Sequence, residues 1–390
     1  MLPLKADVVI IGAGVIGASI AYHLAKENVR AVVLDKNGVA SGSSGACEGL
    51  LLLQSKKPGT HLEMASESLL RFAVLEQELN HSIEYENKGG LVVIESEEEL
   101  AAMKNFVEKQ KKHGADISFL NKEQAREKEP ALSEKIMGAT YSALDSQANP
   151  ILLTLGFLRS AQKLGTKIFH NTKVQSIELT QGQVTSVTTD KGRIETKIVI
   201  NAAGAFAAEI GEMVNLSIPI KPRRGQILVT EAVPTILKRC ILSAKYIAAK
   251  FDPKIAKAGG VGFAVEQTAN GNILIGSTRE FVGFDRDITF DGIHAIAKSI
   301  LRVIPEIENL HIIRAFAGLR PYTPDGLPIL GKVESVEGFI MAAGHEGDGI
   351  TLAPLTGEMI AGLVVSGGSS FPFTDFKLER FTNREADLRL

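Results

Sequence analysis

The sequence predicts an α/β plus α+β protein in which a parallel-sheet domain is interleaved with a mainly antiparallel β-sheet domain. Three observations carry that expectation. The chain has 390 residues, more than one hydrophobic core usually organises, so two domains are expected. Within residues 7–35 an apolar run, a helical pattern and a second apolar run ending in an acid follow one another, which is a β-α-β unit. Residues 217–285 are rich in short β-type runs, and a strand–turn–helix pattern returns only at 338–366.

The elements follow in order. Residues 7–12 form a β-branched run ending in glycine, the pattern of a buried parallel strand. Residues 15–27 place Ile16, Ala18, Ile20, Ala21, Leu24 and Ala25 at helical spacing, and Asn28 stands where a left-handed cap is wanted. Residues 30–35 are the second strand. Helices are expected over 62–80 and 97–113, with a strand at 89–95 between them. Pro150 opens a helix to about residue 164, since proline suits a first helical position. Strands follow at 167–170, 173–179, 183–189 and 196–201. A helix is expected at 290–303, a strand at 338–343 and a last helix at about 350–366. This order divides the chain into one discontinuous domain of residues 1–86, 146–216 and 320–390, and a second of 87–145 with 217–319.

Composition narrows the function. Hydrophobic residues make up 45% of the chain and charged residues 23%, with a mean hydropathy of +0.10, as in a globular protein. Aromatic residues are only 6% and tryptophan is absent, so the core is aliphatic. A net charge of −2 gives no electrostatic reason to expect nucleic acid. Two cysteines, Cys47 and Cys240, cannot form a four-cysteine zinc or iron–sulfur site or staple a secreted fold, and no metal is expected. The first residues lack a basic segment, a long apolar segment and a cleavage site, and no run of about 18 apolar residues is evident. A cytoplasmic protein without a transmembrane segment is expected.

Gly12, Gly14 and Gly17 lie between the first strand and the first helix as GxGxxG, flanking Val15 and Ile16. The first glycine permits the turn, the second lets the backbone approach a pyrophosphate, and the third allows close packing of helix on strand. The pyrophosphate then faces the positive end of the helix. Asp35 ends the second strand, where an acid accepts hydrogen bonds from ribose hydroxyls and disfavours a 2′-phosphate. This is a Rossmann-type dinucleotide site. Taken alone it fits FAD and NAD equally.

Four further segments decide between them. Residues 36–50 (Lys-Asn-Gly-Val-Ala-Ser-Gly-Ser-Ser-Gly-Ala-Cys-Glu-Gly-Leu), Asn201–Ala205, Gly318–Gly326 and Gly344–Ile350 resemble, in order, the corresponding segments of the D-amino-acid oxidase superfamily. Within it the chain is similar to the small FAD subunits of opine oxidase, hydroxyproline dehydrogenase and hydrogen cyanide synthase, through Gln54–Gly59 and Gly344–Gly349. Glycine oxidase and sarcosine oxidase are more distant likenesses. The resemblance implies FAD. Val174 would meet its adenine side and Gly204, with Ala203, its pyrophosphate. Lys36, Ser41, Gly42, Ser43, Ser44, Gly49 and Leu50 would line the cofactor. Gly344, His345, Gly347, Asp348, Gly349 and Ile350 would form a turn and helix start facing the flavin. Sarcosine oxidases that resemble this chain tether FAD to a cysteine, but the matching stretch Ala315–Arg320 has none, so noncovalent FAD is expected.

Arg320 is the expected substrate anchor, because a planar guanidinium binds a carboxylate through two parallel hydrogen bonds. It also fits a salt bridge with Asp325. Tyr322 is a weaker candidate for substrate contact. Glu48 fits either a ligand for a substrate amine or a buried capping acid. His345 fits a cofactor contact or a turn filler, Asp348 fits a helix cap, and Cys47 a small buried thiol. The resemblance implies oxidation of a small amino acid or secondary amine (proline-, hydroxyproline-, glycine- or D-amino-acid-like), with hydride leaving Cα for flavin N5 and electrons passing to a partner subunit. A stand-alone glycine, sarcosine or D-amino-acid oxidase using oxygen is the first alternative. A non-catalytic FAD subunit that only relays electrons is the second.

Overall fold

The computed structural model describes residues 2–251 and 262–384. The part of the β-rich reading at 252–261 lies outside the described residues.

The first strand is β1, Val8–Ile11, followed by helix α1, Val15–Lys26, and β2, Ala31–Leu34. Asn28 has φ 59°, the left-handed conformation expected after this helix. A two-residue strand β3, Leu50–Leu51, leads to α2, Thr60–Leu79, whose C-cap Asn80 is also left-handed. The next elements are β4 (Gly90–Ile94), α3 (Glu97–Lys111), β5 (Ser118–Asn121), α4 (Lys122–Lys128), β6 (Gly138–Ser142) and β7 (Ser146–Gln147). Asn149 caps α5, Pro150–Lys163, by accepting from the Ile151 and Leu152 amides. Then come β8 (Lys167–Phe169), β9 (Val174–Thr180), β10 (Gln183–Thr189), β11 (Gly192–Glu195), β12 (Val199–Asn201) and α6 (Ala207–Glu212). The remaining strands are β13 (Lys221–Ala232), β14 (Cys240–Ser243), β15 (Ala264–Gln267), β16 (Asn272–Gly276), β17 (Ile312–Tyr322), β18 (Ile329–Lys332) and β19 (Phe339–Ala343). The last α-helices are α7 (Ala244–Phe251), α8 (Phe290–Leu301) and α9 (Gly349–Ser366).

Two large sheets result. The first has the order β18-β19-β12-β1-β2-β8 and is parallel except for the β18/β19 pair. Alternation along β1 divides its side chains between two cores. Val8 and Ile10 pack with α1, α2, α5 and α9, while Val9 and Ile11 pack with the antiparallel ribbon β9–β11 on the other face. The sheet is thus covered on both sides, which its unbroken apolar strands require.

The second sheet has the order β17-β13-β16-β15-β14-β4-β6-β5 and is antiparallel apart from β14/β4. Its strands come from residues 90–142 and 221–322, so the interleaving of an α/β and a mainly antiparallel part is as the sequence predicts. β17 runs across the point between residues 319 and 320 at which the sequence divides the domains. As an edge strand containing Gly318 and Pro321, it carries two signals that break a strand pattern.

By length and composition helix α9, Gly349–Ser366, is apolar enough to cross a membrane, but 67% of it is buried, packed against α1 and α2 as a core helix.

Candidate active site

A cleft of about 290 Å³ runs between the two sheets. One end is built by the turn after β1. Gly12 has φ 115°, and a Cβ there would collide with the Ala202 carbonyl at the end of β12. A Cβ on Gly17 would collide with the Gly12 carbonyl, so this glycine lets α1 sit against the turn. The N-cap of α1 is Gly14, which offers no side-chain acceptor. The Val15 amide donates to Ser44 Oγ at 3.0 Å. The free amides of this helix end are therefore presented to the cleft, where a phosphate would accept them. Asp35 Oδ2 accepts the Ala13 amide at 2.8 Å and Oδ1 the Asn37 amide at 2.8 Å. Lys36 lies over the Phe206 ring at 3.1 Å, and that ring stacks on Phe284 from the other sheet's side at 4.6 Å.

The expected residues converge on this cleft with three exceptions. Gly12, Gly14, Val15, Ile16, Asp35, Lys36, Ser41–Ser44, Glu48, Leu50, Val174, Ala203, Gly204, Arg320, Gly344, His345 and Gly347–Ile350 all line it. Gly17 and Gly49 stand behind the wall. Tyr322 also lies outside the lining, packed edge-on against Phe281 at 5.0 Å and beneath the Arg223 guanidinium at 4.7 Å.

At the far end β13 and β17 pair with Arg223 opposite Arg320 and Gly225 opposite Gly318, so these four residues share one face. The two glycines clear space there. A Cβ on Gly318 would strike the Ala46 carbonyl, and one on Gly225 would strike the Arg320 guanidinium. The loop at 41–48 docks in that space, with Ser43 Oγ donating to the Leu319 carbonyl at 2.5 Å. Arg320 Nη1 donates to the Thr278 carbonyl at 3.1 Å and Nη2 to Ser277 Oγ. It does not pair with Asp325, which is held by Arg380 at 2.7 Å instead. Among the described residues no carboxylate lies within ion-pair distance of Arg320.

The neighbouring acid is already taken. Glu346, in a left-handed turn at φ 49°, accepts from Arg223 Nη2 and from Arg279 Nη1 at 3.1 Å, and its Oε2 accepts the Gly347 amide at 2.6 Å. Glu48 faces the same end. Its Oε1 is buried without a hydrogen-bond donor, so this oxygen caps nothing. Burial raises the Glu48 pKa, against the pull of Arg320 and Arg279.

Asp348 stands at the N-cap of α9 but makes no capping bond. Instead Oδ1 pairs with Lys56 Nζ at 2.8 Å and Oδ2 lies 3.3 Å from His61 Nε2, all deeply buried. Lys56 Nζ also donates to the Leu52 carbonyl at 2.5 Å and to Ser55 Oγ at 3.2 Å. His345 is buried, with Nε2 3.2 Å from Thr356 Oγ1, and burial lowers its pKa to about 3, so it is neutral. Sequence reasoning missed Lys56, His61, Arg223 and Arg279.

A parallel sheet whose first turn exposes helix amides, joined across a cleft to an antiparallel sheet, has the arrangement of a dinucleotide-binding protein. Residues 7–363 match the family model DAO, FAD dependent oxidoreductase, and the chain belongs to that family. It is an FAD-dependent amino-acid or amine oxidoreductase. Hydrogen cyanide synthase subunit HcnC of Pseudomonas aeruginosa is 31% identical over 96% of this chain and 96% of its own length. Glycine oxidase of Geobacillus kaustophilus is 31% identical over 96% of this chain and 97% of its own. The solved structure of L-proline dehydrogenase from P. horikoshii superposes with a TM-score of 0.89 at 28% identity, covering 98% of this chain and 100% of that one.

Proposed function

We propose that the chain oxidises a small amino acid or secondary amine whose carboxylate is held by Arg320. The observation that carries this reading is a cleft-lining guanidinium with no carboxylate partner among the described residues. Thr278 and Ser277 fix its plane, so it is set before substrate arrives, and Glu346 is engaged by Arg223 and Arg279 rather than by Arg320. Glu48, on the same wall, meets the substrate's nitrogen. A zwitterion thus finds a cation and an acid at the two positions it needs.

The glycine turn at Gly12–Gly17 would hold the pyrophosphate of FAD, and free amides at the start of α9 would stabilise negative charge on the flavin. FAD, when bound, supplies N5 as acceptor of the hydride from the substrate Cα. Noncovalent attachment is supported by the cysteine-free stretch Ala315–Arg320 and by Cys47 on the cleft lining, whose thiol burial pushes up and which donates to the Ser44 carbonyl at 3.6 Å. Electrons pass on to a partner subunit, a reading supported by the likeness to HcnC, which is itself named a subunit. The likeness to glycine oxidase supports a stand-alone oxidase as the second reading.

The test is Arg320→Ala in the FAD-loaded protein, with anaerobic flavin bleaching followed for glycine, sarcosine, proline, hydroxyproline and D-amino acids. Loss of charge-assisted hydrogen bonds of about 3 kcal/mol predicts a fall of roughly a hundredfold in kcat/KM. An unchanged kcat/KM refutes the anchor, and no bleaching by any amine in the unsubstituted protein supports an electron relay. Peroxide formation in air separates an oxidase from a dehydrogenase.

A further inference from the structure

One buried acid has no part in the site so far. Glu266 stands on β15 two residues after Ala264 and so on the same face of the strand, and Ala264 lines the cleft. Glu266 Oε1 accepts the Gly49 amide at 2.7 Å, while Oε2 is buried with no hydrogen-bond partner. That amide joins Gly49 to Glu48, so the Glu266 carboxylate is anchored on the peptide next to Glu48. Glu48 Oε1 is also buried and unpartnered. The room for both is made by glycines. A Cβ on Gly276 would run into Glu48 Oε1, and one on Gly49 would strike the Ala148 carbonyl and stand 3.4 Å from Glu266 Oε1. Buried acceptor oxygens without donors are costly, and at Glu48, which lines the cleft with Glu266 behind it, a bound ligand can supply the missing donor.

The groups around the two acids are unequal. Glu48 faces Arg320 from β17 and Arg279 from the segment after β16, with the Cys47 thiol beside it. Glu266 faces Glu48, Lys88 and Glu86, with Cys240 of β14 close by; Lys88 is itself bound to Glu86 at 3.3 Å. Burial, together with the charge on Glu48, pushes Glu266 up to about 7. Two neighbouring buried carboxyls do not both ionise readily. Ionisation of the pair favours Glu48, beside the guanidinium groups, over Glu266, which faces Glu48 and Glu86.

We propose that Glu48 and Glu266 work as one proton-accepting pair for the substrate's ammonium group, with Glu48 meeting the nitrogen and Glu266 acting as the positioning residue behind it. In the step, an N–H bond of the ammonium breaks and an O–H bond forms on Glu48. The electron pair stays on nitrogen, one positive and one negative charge cancel, and no oxidant is consumed. The amine is left with a free lone pair, the form from which hydride can depart. This inference deepens the Arg320 reading and rests on it, because Arg320 must hold the other end of the same molecule.

The experiment is a pH profile of anaerobic flavin bleaching in the FAD-loaded protein, using whichever of glycine, sarcosine, L-proline or D-alanine bleaches fastest. Wild type, Glu266→Gln and Glu48→Gln are compared; glutamine at 266 keeps an acceptor for the Gly49 amide. The expected kcat/KM profile of the wild type has a limb near neutral pH, from the second ionisation of the pair. In E266Q that limb disappears while the plateau stays within about tenfold. In E48Q the rate falls roughly a hundredfold at neutral pH and recovers as the free amine form of the substrate rises. A near-neutral limb that persists unchanged in E266Q, or is missing from the wild type, overturns the pair. Binding of pyrrole-2-carboxylate, a carboxylate without a titrating amine, is followed in parallel by the flavin spectrum. Binding that Arg320→Ala abolishes, with an unmoved E266Q profile, overturns the pair alone. No effect of Arg320→Ala on that binding overturns the anchor and the pair with it.

Discussion

The Lys56–Asp348 pair offers the sharpest test of how the cleft is held together. The Nζ–Oδ1 separation is 2.8 Å, and the two side chains are 2% and 3% exposed. At an effective dielectric constant near 20, two unit charges that close attract by about 6 kcal/mol, an upper figure from which desolvation of both must be subtracted. Removing one partner strands the other. In Asp348→Asn the ammonium keeps the Leu52 carbonyl and Ser55 hydroxyl, and a loss of about 3 kcal/mol is expected. In Lys56→Met a buried carboxylate loses its ammonium while the His61 ring nitrogen stays 3.3 Å away, and the loss is expected to approach about 5 kcal/mol. The double variant Lys56→Met/Asp348→Asn removes both charges and is expected to be more stable than Lys56→Met alone. Urea unfolding of the FAD-loaded proteins, followed by far-ultraviolet circular dichroism, gives the four values of the cycle. Single variants within 1 kcal/mol of wild type, or strictly additive losses, would refute the argument.

Two further outcomes are expected. Gly12→Ala must place a side chain at φ 115° against the Ala202 carbonyl, so the purified protein should carry far less FAD per chain, read as the ratio of flavin to protein absorbance; full flavin content would sink the account of that turn. Asp145, which accepts from the Leu53 amide and from Gln54 Nε2, is pushed by burial from 3.8 to about 6. Its raised pKa contributes stability that is complete below pH 3.8 and lost as pH rises through 6, about 3 kcal/mol in all. Asp145→Asn lacks that dependence, so its stability relative to wild type should climb by up to this amount between pH 4 and 7; a constant difference across the range contradicts it.

The parts of the molecule that could be read from sequence are those set by local spacing. Gly12, Gly14, Gly17 and Asp35 sit within one β-α-β unit, and each has a backbone reason to be what it is. Asn28, Asn149 and Pro150 mark helix ends in the same local way. Arg320 could be placed in the cleft only through the family likeness of its segment, and the strand that carries it was hidden by Gly318 and Pro321. The charge pattern of the site was not legible. Lys56 and Lys57 are adjacent in sequence, yet one is buried on Asp348 and the other exposed, because only the folded chain brings α9 to the loop after β3. The capping role expected of Asp348 failed for the same reason: a buried ammonium took its carboxylate. Glu266 and Glu48 meet through the Gly49 amide, a contact between two sheets that no periodicity encodes.

The strand order β18-β19-β12-β1-β2-β8 has a consequence for synthesis. β1 precedes β12, its neighbour in the sheet, by nearly two hundred residues, and β12 in turn waits for β19. The helix that closes the cofactor cleft, α9, packs against α1 and follows every strand of both sheets in the sequence. A nascent chain therefore presents the Gly12–Gly17 turn well before it has the walls that would retain a dinucleotide. Flavin capture becomes a late event, and folding dominated by such distant pairings is slow. Synthesis of the segment that carries β19 and α9, rather than of the motif at the front, then sets when the protein becomes yellow.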